Sequence, residues 1–258
     1  MSMRALITND DGIDSPGLHA LAGAARQAGL EVTVAAPSWD SSGASSALTG
    51  VRNDGRLAIE SRAIDGLDGP CYALEAAPAL IALVAMRGGL GPVPDLVLSG
   101  INRGRNTGHA ILHSGTVGAV LTGVNHGASG MAVSLDADEP EYFSTAATLA
   151  TPLICWLAAC RPGAAINLNV PDRPAAEVAG IRQAPLASIG AVQTNVTDTG
   201  EGYVEMTYEA VATPPEPGSD ADLLARGWAV VTPLVALTEA TGLELPLRGG
   251  SWAPDLCR

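Results

Sequence analysis

The stretch MRALITNDDGIDSPGLHALAGAA, residues 3–25, decides the fold. An apolar run, Ala5-Leu6-Ile7, leads into Asn9-Asp10-Asp11-Gly12, and a second apolar segment opens after Ser15-Pro16. Residues 4–8 have the length and polarity of a buried strand. Ser15 as N-cap and Pro16 at the first helical position predict a helix to about Ala28, stopped by Gly29. EVTVAAP, 31–37, reads as a second strand ended by Pro37. Strand, helix, strand is the opening unit of a doubly wound parallel sheet. Two adjacent carboxylates thus stand at the carboxyl end of the first strand, where open parallel sheets bind ligands.

The pattern continues downstream. CYAL (71–74) reads as a strand, 77–89 as a helix and PDLVLSG (94–100) as a strand running into a glycine loop. A small-residue helix is predicted over 114–127, opening at Ser114, then a strand over 130–135, a long helix over 141–160 and a last core strand over 164–171. The expected class is α/β, with a Rossmann-like, doubly wound, mostly parallel sheet. From about 174 the segments shorten and Gly and Pro become frequent. YVEMTYEAV (203–211) alternates like a strand with one wet face, 214–220 reads as a turn or loop, and 226–234 returns to strand. The expected organisation is an α/β catalytic core over 1–173. A β-rich extension over 174–258 packs on that core and serves oligomerisation.

Bulk composition narrows the function. Apolar residues make up 47 %, enough for a core, but aromatics only 3 %, so Ala, Val, Leu and Ile must fill it. The 14 basic residues are all Arg and face 27 acids, a net charge of −13. A general binder of nucleic acid polymers needs a basic face, so that class is set aside. Cys71, Cys155, Cys160 and Cys257 show no CxxC and no zinc-like spacing, which points to unpaired thiols in a reducing compartment. No run is long enough to span a membrane, and the N-terminal apolar run is too short for a signal core. A cytoplasmic protein without a membrane partner is expected.

Three strand ends carry polar, glycine-containing loops: Asn9-Asp10-Asp11-Gly12, PSWDSSGASS (37–46) and SGINRGRNTG (99–108). In one sheet they would converge on one rim bearing carboxylates, hydroxyls and Asn amides. That is an oxygen-donor set of the kind hard cations such as Mg²⁺ and Mn²⁺ prefer. Gly43, Gly100, Gly104 and Gly108 would let backbone amides approach a phosphate, and the helix opening at Ser114-Gly115-Thr116 would add an anion-friendly N-terminus. Other residues have plainer readings. His113 packs or caps, or acts as a general acid; His19 is structural; His126 caps a helix end; Cys155 and Cys160 pack. The absence of G-x-S-x-G speaks against a Ser-His-Asp hydrolase of the elbow type.

Taken together, TNDDGIDSPG (8–17), APSWDSSGASSALT (36–49), SGINRGRNTG (99–108) and LHSGTVGAVLTG (112–123) resemble the SurE (survival protein E) family of metal-dependent nucleotidases and phosphatases. LNVP (168–171), IRQ (181–183) and RGWAVVTPL (226–234) extend the resemblance over nearly the whole chain. It implies one divalent cation per subunit, Mg²⁺ or Mn²⁺, held by Asp10, Asp11, Ser42 and Asn102. It makes Asp10, Asp11 and Asn9 the catalytic group, and Asn9, Gly43, Asn106, Ser114, Gly115 and Thr116 the phosphate-binding set. It also implies a C-terminal hairpin exchanged between subunits of a homodimer or homotetramer, and hydrolysis of nucleoside 5′- and 3′-monophosphates. A phosphatase of another phosphorylated metabolite, or a metal- or nucleotide-binding protein without turnover, are the alternatives.

The chain departs from the family pattern at several places. Ala76-Ala77-Pro78-Ala79-Leu80-Ile81 replaces a GTPxDC-like segment. Ser41 and Thr122 replace a usual basic residue and a usual Glu, and Ala110 a usual acid; Ala184-Pro185-Leu186 stands where an Arg cluster is usual. These changes bear on substrate choice, because none is a metal position by motif.

Overall fold

β1 (Arg4–Thr8) is apolar because both its faces are covered. Ala5 and Ile7 lie in the core under helix α1 (Pro16–Gln27), and Leu6 lies in the core on the opposite face. The computed structural model describes residues 2–50, 52–188, 192–200, 203–210, 214–238, 247–248 and 251–252. After α1 come β2 (Glu31–Pro37), the short β3 (Arg52–Asn53) and β4 (Arg56–Leu57), then β5 (Ile59–Ser61), β6 (Cys71–Leu74) and α2 (Pro78–Met86). β7 (Leu96–Arg103), a 3₁₀ turn (Gly108–His113), α3 (Gly115–Asn125), β8 (Ser129–Asp136), α4 (Phe143–Ala159) and β9 (Ala165–Pro171) complete the alternating part. β10 (Ile181–Gln183), β11 (Val192–Gly200), β12 (Tyr203–Ala210), α5 (Asp220–Ala225), β13 (Ala229–Leu234), β14 (Leu247–Arg248) and β15 (Ser251–Trp252) follow.

Nine strands form one sheet in the order β10-β13-β9-β8-β7-β1-β2-β6-β5. The six from β9 to β6 are parallel throughout. The chain starts in the middle at β1, moves outward through β2 to β6, and returns on the other side of β1 as β7. That is the Rossmann order, and its switch point lies between β1 and β7. β5 closes one edge antiparallel to β6; β13 pairs antiparallel with β9 and carries β10. β10 and β13 come from beyond residue 174 and belong to the main sheet, while β11 and β12 form a separate antiparallel hairpin.

The helices divide between the faces. α1 and α4 pack together over Ile7, Leu98, Val133 and Leu168; α2 and α3 pack together on the other side, over Leu6, Val97 and Ala132. Helix α4 contributes Ala146, Ala150, Ile154 and Leu157, one apolar stripe at helical spacing. β7–α3–β8 and β8–α4–β9 step the same way along the sheet, yet their helices lie on opposite faces. One of them therefore has the opposite hand. β1–α1–β2 shares its hand with the α2 and α3 crossovers, so, given the near-universal right hand of such units, β8–α4–β9 is left-handed.

Several expectations need correction. Ser15 stands at the N-cap of α1, but its side chain makes no capping bond. β7 does not stop at Gly100: it runs to Arg103 with an irregularity between Ser99 and Asn102. Gly100 is required there, because a Cβ would meet Val133 O at 2.2 Å. The loop read over 214–220 runs into a short helix, α5, capped by the Ser219 hydroxyl accepting from Asp222 N, and the following strand begins at 229 rather than 226. β12 covers most of the strand read over 203–211, with residue 211 and the facing of its side chains outside the described residues. Cys71, Cys155 and Cys160 are free thiols, and Cys155 is exposed rather than packed; Cys257 lies outside the described residues. Among the described residues no helix is long and apolar enough to cross a membrane.

α5 matters to the rim through Asp220, which is fully buried. One carboxylate oxygen accepts from Gly108 N at 2.9 Å, and the other from Ala187 N at 2.9 Å and Ala221 N at 2.8 Å. It thereby anchors the 3₁₀ turn that ends in His113. Asp220→Ala strands two long-range buried N–H donors and is expected to lower unfolding stability by about 2–5 kcal/mol, measured by urea denaturation.

Candidate active site

The carboxyl ends of β1, β2 and β7 meet at the switch point, and the first residues beyond β1 are fixed by their own polar groups. Asn9 is fully buried; its Nδ2 donates to Gly12 O at 3.0 Å and its Oδ1 accepts from Gly12 N at 3.2 Å. Asn9 therefore builds the turn, with its amide committed to the Gly12 backbone on both sides.

Asp10 points inward to α3. Its Oδ1 accepts from Thr116 Oγ1 at 2.6 Å and its Oδ2 from Thr116 N at 3.2 Å. The residue is 4 % exposed, and burial pushes its pKa up to about 6, opposed by the Thr116 hydroxyl bond. The positive end of α3 partly offsets the cost of that buried charge. Gly115 permits the approach: a Cβ there would stand 2.7 Å from Asp10 Oδ2. Thr116, at the start of the helix, directs both its hydroxyl and its N–H at Asp10. Ser114 caps α3 by accepting from Val117 N at 3.1 Å. Its own N–H goes to Ile111 O, and the Gly115 N–H has no protein acceptor among the described residues.

Asp11 points the other way. Its Oδ1 accepts from Arg103 Nε at 2.9 Å, while Arg103 Nη2 donates to Asp40 Oδ2 at 3.1 Å. Burial raises the Asp11 pKa against the pull of Arg103. Asp40 Oδ1 accepts from Ser42 Oγ at 2.6 Å and Ser42 N at 3.0 Å, which holds its carboxyl below the usual range. Asn102 Nδ2 donates to Arg103 O at 3.0 Å and Gly104 O at 2.8 Å. With its nitrogen so committed, Asn102 presents Oδ1 as the available atom. The 38–46 loop is tied to the strand end and to the 3₁₀ turn by Ser41 N donating to Asp10 O at 2.8 Å and Ser45 N to His113 O at 3.2 Å.

The loop after β7 is latched from below. Asn106 O accepts from Asn167 Nδ2 and Asn169 Nδ2, both at 2.8 Å; Asn106 N donates to Asn169 Oδ1 at 2.8 Å and its Nδ2 to Ser134 Oγ at 3.0 Å. Two of the glycine amides expected to reach phosphate are already taken: Gly104 N by Ala137 O and Gly108 N by Asp220.

A cleft of about 260 Å³ gathers Asp10, Ser42, Gly43, Asn102, Asn106 and Ser114, joined by Arg103, Ala110 and His113. Asp11 lines a second, adjoining cavity that shares Arg103 with the first. Sequence reasoning missed Arg103, Asp40, Asn167 and Asn169. The last two were marked by polar residues at i and i+2 of an otherwise apolar strand, which places both on one face. His19 and His126 are structural, meeting Ile13 O and Thr122 O at 2.9 and 2.8 Å. Among the departures, Ala110 lines the cleft and Ser41 bonds the Asp10 carbonyl, but Ala184 is buried beside Leu223, Leu224 and Val230 and does not wall the cleft. Among the described residues no three His, Cys, Asp or Glu converge as a metal cluster.

The fold and rim define a Rossmann-like α/β protein with an oxygen-donor crevice at its switch point. The chain belongs to the SurE family: the family model for survival protein SurE matches residues 5–192. It is 34 % identical to a Stenotrophomonas maltophilia protein named 5′-nucleotidase SurE, over 98 % of this chain and 97 % of that one. It is 39 % identical to a Cronobacter sakazakii protein named 5′/3′-nucleotidase SurE, over 70 % and 68 %. Its structure is similar to the crystal structure of the SurE protein from Aquifex aeolicus, with TM-score 0.74 and 29 % identity, covering 92 % of this chain and 94 % of that one.

Burial of Asp10 has a measurable signature. Its folded pKa near 6 exceeds the ordinary carboxylate value of 3.8, so burying its ionised form carries a stability cost that is absent below about pH 4 and fully present above about pH 6. In cation-free protein Asp10→Asn is expected to gain about 1–3 kcal/mol at pH 7, a gain that shrinks as pH falls through 6 towards 4. Urea unfolding of both proteins across pH 4–7 measures the difference.

Proposed function

We propose that this chain is a divalent-cation-dependent phosphomonoesterase that hydrolyses nucleoside 5′- and 3′-monophosphates to nucleoside and phosphate. The observation that carries the reading is the gathering of Asp10, Ser42 and Asn102 in one cleft with Gly43, Asn106, Ser114 and His113. The names of the relatives above support the same activity.

The donor chemistry fits Mg²⁺ or Mn²⁺, one per subunit, held by the Asp10 and Asp11 carboxylates, Ser42 Oγ and Asn102 Oδ1. When bound, the cation supplies Lewis-acid neutralisation of the phosphoryl oxygens. The protein's own groups do the rest. Thr116 and Gly115 fix the Asp10 carboxylate. Asp40 Oδ1 accepts the hydrogen bond of the Ser42 hydroxyl, which leaves the Ser42 oxygen free to act as a donor atom to a cation. The free Gly115 N–H and the open backbone at Gly43 orient phosphoryl oxygens. His113, exposed on the cleft wall, is placed to give a proton to the leaving oxygen. Arg103 supplies positive charge beside Asp11, a cation the sequence reading did not count.

The same reading makes the protein cytoplasmic, with its segment after 174 joining copies as a homodimer or homotetramer. The hairpin β11–β12 pairs only within itself among the described residues, and a second copy would cover its free edges. Light scattering at micromolar concentration is expected to give a multiple of the chain mass; a single-chain mass would reject the assembly.

Chelation by EDTA is expected to abolish phosphate release from nucleoside monophosphates, and Mg²⁺ or Mn²⁺ to restore it. Asp10→Asn and Asp11→Asn should each cut kcat/KM by roughly 10²-fold or more, and Ser42→Ala and Asn102→Ala by about 10-fold, because neutral oxygens contribute less charge to a hard cation. Full turnover in the chelated wild type would end the proposal.

A further inference from the structure

The second cavity, about 650 Å³, opens beside the cleft, shares Arg103 with it and is lined by Asp11 on that side. Three features show what it takes. Trp39 stands on its wall 41 % exposed, in a chain with only four Trp, four Tyr and one Phe, and that Phe, Phe143, lines the same cavity. Ser15 also lines it; the residue is more than nine-tenths buried, and its Oγ has no hydrogen-bond partner among the described residues. This hydroxyl is the one that fails to cap α1, so the fold leaves it unused. Finally, the wall is acidic: Asp138, Glu139 and Glu141 from the β8–α4 connection stand with Asp14 and Asp40. Against them are Arg103 and, outside the lining, Arg62, paired with Asp14 at 3.2 Å.

An exposed indole offers a face for a planar ring. A buried, unpaired hydroxyl offers one specific hydrogen bond. Surplus carboxylates accept from hydroxyl and amino groups and repel further phosphates. We propose that this cavity is the nucleoside subsite. The base stacks on Trp39, Ser15 Oγ and the carboxylates take the donors of the nucleoside, and the acidic wall excludes nucleoside di- and triphosphates. The proposal rests on the nucleotidase reading and names how that site selects its substrate.

The test compares kcat/KM for AMP, ATP and glycerol 2-phosphate, with calorimetric binding of adenosine alone, in the wild type and three variants. The wild type is expected to favour AMP over both other esters. Trp39→Ala should shrink the AMP preference over glycerol 2-phosphate by roughly 10- to 100-fold, while Trp39→Phe keeps most of it. Ser15→Ala should weaken adenosine binding by about 5-fold without moving the unfolding midpoint, since no capping bond is lost. Asp138→Asn combined with Glu139→Gln should raise turnover of ATP relative to AMP. An unchanged AMP preference in Trp39→Ala, or a wild type that prefers glycerol 2-phosphate, would overturn the subsite while leaving a phosphatase. Absence of turnover on every ester would sink the hydrolase reading instead; adenosine binding that Trp39→Ala abolishes would still support the cavity, and no adenosine binding would overturn it.

Discussion

The burial of one carboxylate governs the architecture of the rim. Asp10 lies at the end of a central strand, nearly buried at the base of the cleft, and a carboxylate without partners there would be costly. Its charge is tolerable because α3 begins against it, with the Thr116 hydroxyl and N–H both directed at its oxygens. That contact dictates sequence elsewhere. Gly115 must lack a side chain for α3 to come close, and Gly118 must lack one because the 38–46 loop crosses at that point, with Ser45 O 2.4 Å from where a Cβ would be. The same loop returns a hydrogen bond to the Asp10 backbone, so strand, helix and loop are joined around one negative charge.

Adjacent carboxylates would repel if they shared an environment, and the structure separates them. Asp10 is held by neutral donors and a helix end, Asp11 by a guanidinium. Arg103 reaches on to Asp40, whose other oxygen holds the Ser42 hydroxyl. The metal donors expected from the sequence are therefore already ordered by a network of protein hydrogen bonds, and that network sits between the small cleft and the larger acidic cavity. Arg103 meets both oxygens of Asp11, Oδ1 through Nε at 2.9 Å and Oδ2 through its backbone N–H at 3.4 Å.

Most of the sheet is legible in the sequence because its strands are short apolar runs punctuated by Gly and Pro, and the helices between them carry apolar residues at helical spacing. The convergence of the three polar loops follows from that order and needed no long-range information. What was not legible depends on side-chain direction. The fold-back of Asn9 on Gly12 is a local turn, but nothing local tells that Thr116 turns to Asp10, a neighbour 106 residues away in sequence. Gly100 reads as the start of a loop, yet it continues a strand because β8 passes too closely for a side chain. Ala184 reads as a pocket change and proves to be core, because α5, a six-residue helix with little periodicity of its own, packs over it.

The reversed hand of the β8–α4–β9 crossover has a consequence for where a binding loop can rest. A right-handed connection would have laid α4 across the side of β9 that bears Ala165, Asn167 and Asn169. With α4 sent to the opposite face, that side of β9 becomes a shelf, and its two buried amides grip Asn106 while Ser134 on β8 grips it from the neighbouring strand. A segment that follows the central strand is thus supported two strands away. Uncommon topology does the work of an additional supporting element: it keeps a floor clear beneath the crevice and makes the position of the loop a property of the sheet.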